Sequence, residues 1–214
     1  MGVPVKYRGG GEANALYDWL DITSGVGYRR YLAGASALSS GALYFLTSRD
    51  IDSLPWNVTS GLSAADWQLK QDLDFDIQFK KAAYISGAAY INVLHAIDSP
   101  GAGDVVDGIT TKIFHVNPAG TETQIASAVG ALRSTEGGGS IQYFKECIKL
   151  DCDGKQFSVG DRLRLNVLHY GKDTGGNGSM VLYFDPSGKK TFTDISGGSV
   201  NTTLSLDVPF TIDI

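Results

Sequence analysis

Phe157-Ser158-Val159-Gly160-Asp161-Arg162-Leu163-Arg164-Leu165-Asn166-Val167-Leu168-His169-Tyr170 opens on a turn and leaves it as a strand. Gly160-Asp161 supplies the turn residues. Beyond it Leu163, Leu165 and Val167 share one face while Arg162, Arg164 and Asn166 share the other, which is the two-residue period of a strand with one wet side. His169 continues the apolar phase. The same period recurs along most of the chain, so the fold class follows from it.

Upstream, residues 73–80 alternate without a fault and place Leu73, Phe75, Ile77 and Phe79 inward. Residues 85–97 follow with Ile85, Ala89, Ile91, Val93 and Ile97 in one phase, and an acidic loop over 98–107 closes them. Residues 109–117 and 123–132 form a pair around Pro118-Ala119-Gly120. Residues 141–150 turn Phe144, Ile148 and Leu150 inward against Lys145, Cys147 and Lys149. Asp153-Gly154 reads as a tight turn leading to Phe157. Downstream, 180–185 and 204–212 complete eight strand candidates without interleaved helices. Pro209 lacks an amide donor, so its strand belongs at an edge or has that position facing out of the ladder.

The N-terminal third is less regular. Residues 1–14 read as a flexible arm, and 15–214 as one β-sandwich domain. Residues 16–22 and 28–32 suggest a hairpin, and 42–47 a short strand. Between 48 and 67 the alternation fails, which predicts a long loop with one helical turn over 63–67. The expected fold is therefore all-β, an antiparallel jelly-roll-like sandwich with an extra N-terminal hairpin.

Composition agrees. The chain has 214 residues, 27 of them Gly, and 19% charged side chains, the profile of a turn-rich β protein with short strands. Net charge is −5 with Lys and Arg scattered singly, so neither nucleic acid nor an anionic membrane is an expected partner. No apolar run reaches the roughly 20 residues of a membrane helix. Cys147 and Cys152 read as free thiols, consistent with synthesis in a host cytoplasm.

Candidate chemistry is sparse. His95, His115 and His169 all fall in predicted strands, far apart in sequence, and read as partly buried histidines with local hydrogen bonds rather than metal ligands. Asp151-Cys152-Asp153-Gly154 has a calcium-loop flavour but lacks the downstream Glu. Asp98, Asp104 and Asp107 offer the oxygens of a hard-cation cage, but read as a solvated loop. No Gly-x-Ser-x-Gly elbow, His-Glu-x-x-His motif or phosphate-cradling glycine loop occurs, so neither enzyme activity, a cofactor nor a metal is expected. Aromatic residues of the weakly patterned segment, Trp19, Tyr28, Tyr31, Trp56 and Trp67, are the candidate partner-docking residues.

Residues 17–28 (Tyr-Asp-Trp-Leu-Asp-Ile-Thr-Ser-Gly-Val-Gly-Tyr), the turn-strand over 157–165 and the closing Val208-Pro209-Phe210-Thr211-Ile212 resemble the jelly-roll virion proteins of tailed bacteriophages, notably marine ones. The resemblance implies a non-enzymatic structural protein of the virion, either a capsid decoration or minor capsid component or a tail-associated one. Such a protein works as a homo-oligomer or array docked on other virion proteins. The alternative expectation is a carbohydrate-binding sandwich that takes a host-surface glycan through its exposed aromatics.

Overall fold

The computed structural model describes residues 15–16, 26–39, 41–52, 55–63, 65–99, 104–135, 141–175, 177–189, 191–193 and 199–211. Among them all regular structure is β. The strands are β1 (Ala15–Leu16), β2 (Val26–Leu38), β3 (Gly41–Thr47), β4 (Asn57–Gly61) and β5 (Gln68–Gln78). They continue with β6 (Ala83–Asp98), β7 (Val105–Val116), β8 (Glu122–Val129), β9 (Arg133–Thr135) and β10 (Ile141–Phe157). The last are β11 (Arg162–Asp173), β12 (Ser179–Tyr183), β13 (Thr191–Thr193), β14 (Ser199–Asn201) and β15 (Ser205–Thr211).

Alternation places these strands in an all-β sandwich. On one side β11 is held between β5 and β7, and β7 carries β8 and β9 on its far edge. On the other side β6 takes β10 along one edge and shares its second edge between β12 and β15. β4 continues the sheet beyond β12, and β2 and β3 continue it beyond β15. Among the described residues a single parallel pair, Phe45 opposite Asp76, links β3 to β5, so thirteen strands form one mixed, unclosed sheet, while β13 and β14 pair with each other in a second. Phe75, Phe157, Phe184, Ile91, Ile113, Leu163 and Leu165 fill the space between the layers and are completely buried or nearly so. Phe75 packs edge-on against Tyr44 and Phe184, with centroids 5.4 and 5.5 Å away, the tilted geometry that aromatic quadrupoles favour.

The turn before β11 is tied from both sides. Gly160 has φ +94°, a left-handed value that an L side chain rarely adopts. Its amide donates to Phe79 O, while Phe79 N donates to Asp161 O. Pro209 lies beyond Asp207, the last residue of β15 paired with β6, so no β6 residue faces its missing donor.

Several expectations change. The supposed loop over 48–67 contains β4, and its described residues show no helical turn. Asp153-Gly154 is not a hairpin turn: β10 runs on to Phe157, and the extra residues form a bulge between Cys152 and Lys155. A continuous partner strand, β6, keeps β10 extended where local turn chemistry alone argued for a reversal. Of the N-terminal hairpin, Ala15–Leu16 pairs with Tyr28 and Arg29 of β2, and residues 17–25 lie outside the described set. Cys147 and Cys152 are free thiols, the first exposed and the second buried.

Candidate metal centre

Strand alternation aims several titratable or amide side chains into the layer between the sheets. In β11, His169 follows Leu163, Leu165 and Val167 on the inner face and is completely buried. In β7, Asp107 falls between Val105 and Ile109 in the inward phase. In β6, His95 lies in phase with Ile91, Val93 and Ile97. Gln71 precedes Leu73 and Phe75 in the same way on β5. Beside it, the β5 register slips by one residue between His169 and Tyr170, a bulge of the kind that re-aims side chains.

These residues meet. Asp107 Oδ2 is 2.7 Å from His95 Nδ1 and 2.7 Å from His169 Nε2. The two imidazole rings stand almost perpendicular, at 89°, with centroids 5.5 Å apart. One donor atom from each of His95, Asp107 and His169 lies within 4.8 Å of the other two, the spacing of ligands around a common ion. None of the three is solvent-exposed.

Around them stands a second ring of contacts. His169 Nδ1 is 3.2 Å from Gln71 Oε1. The orientation of that amide is fixed, because Gln71 Nε2 donates to Val58 O at 3.0 Å and to Met180 O at 3.5 Å, both of which only accept. On the opposite side His95 Nε2 faces Glu146 Oε1 at 3.8 Å. Glu146 Oε1 also accepts from Arg133 Nε at 2.7 Å, and Glu146 Oε2 from Ala131 N at 3.3 Å. A Cβ on Gly130 would overlap Glu146 Oε2, so a side chain there would displace that carboxylate.

Electrostatics then distribute the charge. Burial disfavours the protonated form of His95, but the carboxylates of Asp107 and Glu146 outweigh it and raise its pKa. Burial dominates at His169 and lowers its pKa despite Asp107. Burial would raise Asp107, yet the two histidines hold it below the usual carboxylate range; His95 and Arg133 do the same for Glu146. The proton count at His169 does not close. A neutral imidazole carries one N–H, but both of its nitrogens face oxygens, Gln71 Oε1 and Asp107 Oδ2. With the proton at Nδ1, the Nε2 lone pair points straight at a carboxylate. His95 Nε2 and Asp107 Oδ1 add two buried polar atoms without a hydrogen-bond partner among the described residues. The arrangement has room for one more positive charge at its centre.

The structure thus brings together two of the three strand histidines. His115 stands apart, 2.8 Å from Asp161 beside the Gly160 turn, and is satisfied locally as the sequence suggested. Asp107 is no loop residue: it sits inside β7, away from Asp104, which is exposed. Glu146 and Gln71 were missed as site residues, and Asp107 was assigned to a solvated loop. Each is a polar side chain on the inward phase of an apolar strand, and that anomaly was the available signal.

The candidate docking aromatics scatter. Tyr31 is a core residue, 3% exposed, because the inward phase of β2 carries it with Ala33 and Ala35. Tyr28 is half-buried against Tyr90. Trp56 stacks on Tyr183 at 5.7 Å, and Trp67 is exposed with Lys172 Nζ 5.5 Å from its ring centre. Trp19 lies outside the described residues.

No protein-family model and no curated protein matches the sequence. Among solved structures, the chain is similar to a CocE/NonD family hydrolase from Staphylococcus aureus, with TM-score 0.47 and 14% identity over 85% of this chain and 36% of that one. It is similar to an α-amino acid ester hydrolase at TM-score 0.43 and 15% identity, over 65% of this chain and 25% of that one. The infectious bursal disease virus particle protein follows at TM-score 0.24 and 11% identity, covering 87% of this chain and 48% of that one. These findings correct the expectation of a non-enzymatic virion structural protein, since the stronger likenesses are to hydrolases and the capsid likeness is weak. The chain spans about a third of the length of the Staphylococcus hydrolase, and at these scores no activity carries over from it.

Proposed function

We propose that this chain is a metal-holding β-sandwich whose His95, Asp107 and His169 bind one divalent transition ion of the zinc class between the two layers. The observation that carries the reading is the pair of oxygens facing the two nitrogens of His169. An ion at Nε2 turns an opposed pair of acceptors into a shared ligand set, while Nδ1–H donates to Gln71 Oε1. Two imidazoles and a carboxylate are ligands that zinc accepts, and ligating histidines characteristically give their other N–H to an oxygen. Asp107 Oδ1, otherwise without a partner, is available as a further donor.

The complete burial of the three ligands favours a structural ion over a catalytic one, which needs an open position for water or substrate. His95 comes from the β6 side of the sandwich and Asp107 and His169 from the β7–β11 side, so the ion would staple the layers together.

Elemental analysis of protein purified without added chelator, together with thermal unfolding before and after chelation, tests this. The expected result is about one ion per chain and a lower midpoint after chelation, restored by Zn²⁺. Folded protein that carries no metal and whose midpoint ignores both Zn²⁺ and chelator overturns the proposal and leaves a proton-filled polar network in its place.

A further inference from the structure

A shallow groove of about 340 Å³ opens along the seam where β8 and the loop to β9 face β10. Val129, Arg133, Lys145, Glu146, Cys147 and Lys149 are among its lining residues, so cationic side chains outnumber the one carboxylate. Glu146 is the point where this groove meets the buried cluster. It is itself buried, and its Oε1 faces His95 Nε2. The three ligand side chains have no exposure of their own. Building on the metal reading above, we propose that Glu146 is the positioning residue that orients His95 for the ion.

Once the ion is at Nδ1 of His95, Nε2 must carry the proton, and Glu146 Oε1 is the acceptor it faces. The present 3.8 Å separation is beyond hydrogen-bond range, and a small rotation of ring or carboxylate closes it. Arg133 Nε and Ala131 N hold the carboxylate in place for that bond. An outer acceptor of this kind characteristically sets ligand affinity by about 10- to 100-fold.

Co²⁺ is the probe, because its visible absorption reports ligand geometry directly. With wild-type protein stripped of metal, Glu146→Ala should weaken Co²⁺ binding by roughly 10- to 100-fold and Glu146→Gln by less, since the amide oxygen still accepts from His95. Both variants should keep the wild-type β spectrum and the same absorption band at saturation. Equal affinity for Glu146→Ala and wild type overturns the positioning role.

A wild-type protein that binds no Co²⁺ at all refutes the metal reading itself, an outcome distinct from equal affinity of variant and wild type.

Discussion

Two histidine–aspartate clusters in this sandwich use the same residue types to opposite ends. At the rim, Asp161 Oδ2 faces His115 Nε2 at 2.8 Å and accepts the amide of Ser158 at 2.7 Å, closing the turn that launches β11. There the one oxygen meets a nitrogen on each side. In the interior, one oxygen of Asp107 serves two histidines whose remaining nitrogens face further oxygens. With neutral imidazoles, acceptors outnumber the available protons. The contrast shows that a buried polar cluster is informative about ligands when its donors and acceptors fail to balance, and is ordinary structure when they do balance.

The sharpest way to break this comparison is to delete each carboxylate. Asp107→Ala should cost about 3–5 kcal/mol, because it leaves two imidazoles buried around an uncompensated position. Asp161→Ala should cost less, since Asp161 and His115 keep 6% and 9% exposure where His95, Asp107 and His169 keep none, so water can replace the lost acceptor. Urea denaturation of both variants measures the difference, and equal losses would show that depth in the fold does not separate the two contacts.

Gly160→Ala probes the rim alone. The left-handed φ of +94° should make it destabilising by about 1–2 kcal/mol, with metal content untouched. A variant as stable as the parent would mean that the turn relaxes freely and that Asp161 does not depend on it.

The smallest effect is acid sensitivity at the rim. The amide of Ser158 first, then His115, with a lesser contribution from Lys155, holds the Asp161 pKa below the ordinary carboxylate value. A carboxylate depressed in the folded state contributes stability that is fully present above the unfolded pKa of about 3.9 and is lost as pH falls through the lower folded value. Asp161→Asn should therefore flatten the stability profile below about pH 4 and leave the profile near neutrality parallel to wild type. Denaturation midpoints across that range provide the check, and an unchanged acid limb would remove Asp161 from the account.

Much of the fold was legible because side-chain period survives any choice of partner. Leu73, Phe75 and Ile77 announced β5, and Leu163, Leu165 and Val167 announced β11, whichever strands lay beside them. Asp153-Gly154 misled because a hairpin turn and a bulge use the same residues, and only the pairing of β10 with β6 decides between them. Tyr31 was misplaced for a related reason: the short apolar residues Ala33 and Ala35 gave its inward phase too little contrast. The interior site was half legible. His169 was seen to continue the apolar phase, yet convergence of His95, Asp107 and His169 depends on register across separate ladders, which no local pattern encodes.

The shared edge of β6 also bears on how fast the chain acquires its form. Ile91 pairs with Ile148 on one side and Leu206 on the other, so this strand is completed only by segments made long after it. Closing such distant pairings spends chain entropy before any contact repays it, and sandwiches of this kind fold in milliseconds to seconds rather than microseconds. Until β15 arrives, part of one edge of an apolar strand stands open to pairing with a neighbouring molecule, which makes the concentration of newly made chain, as much as its sequence, a determinant of yield.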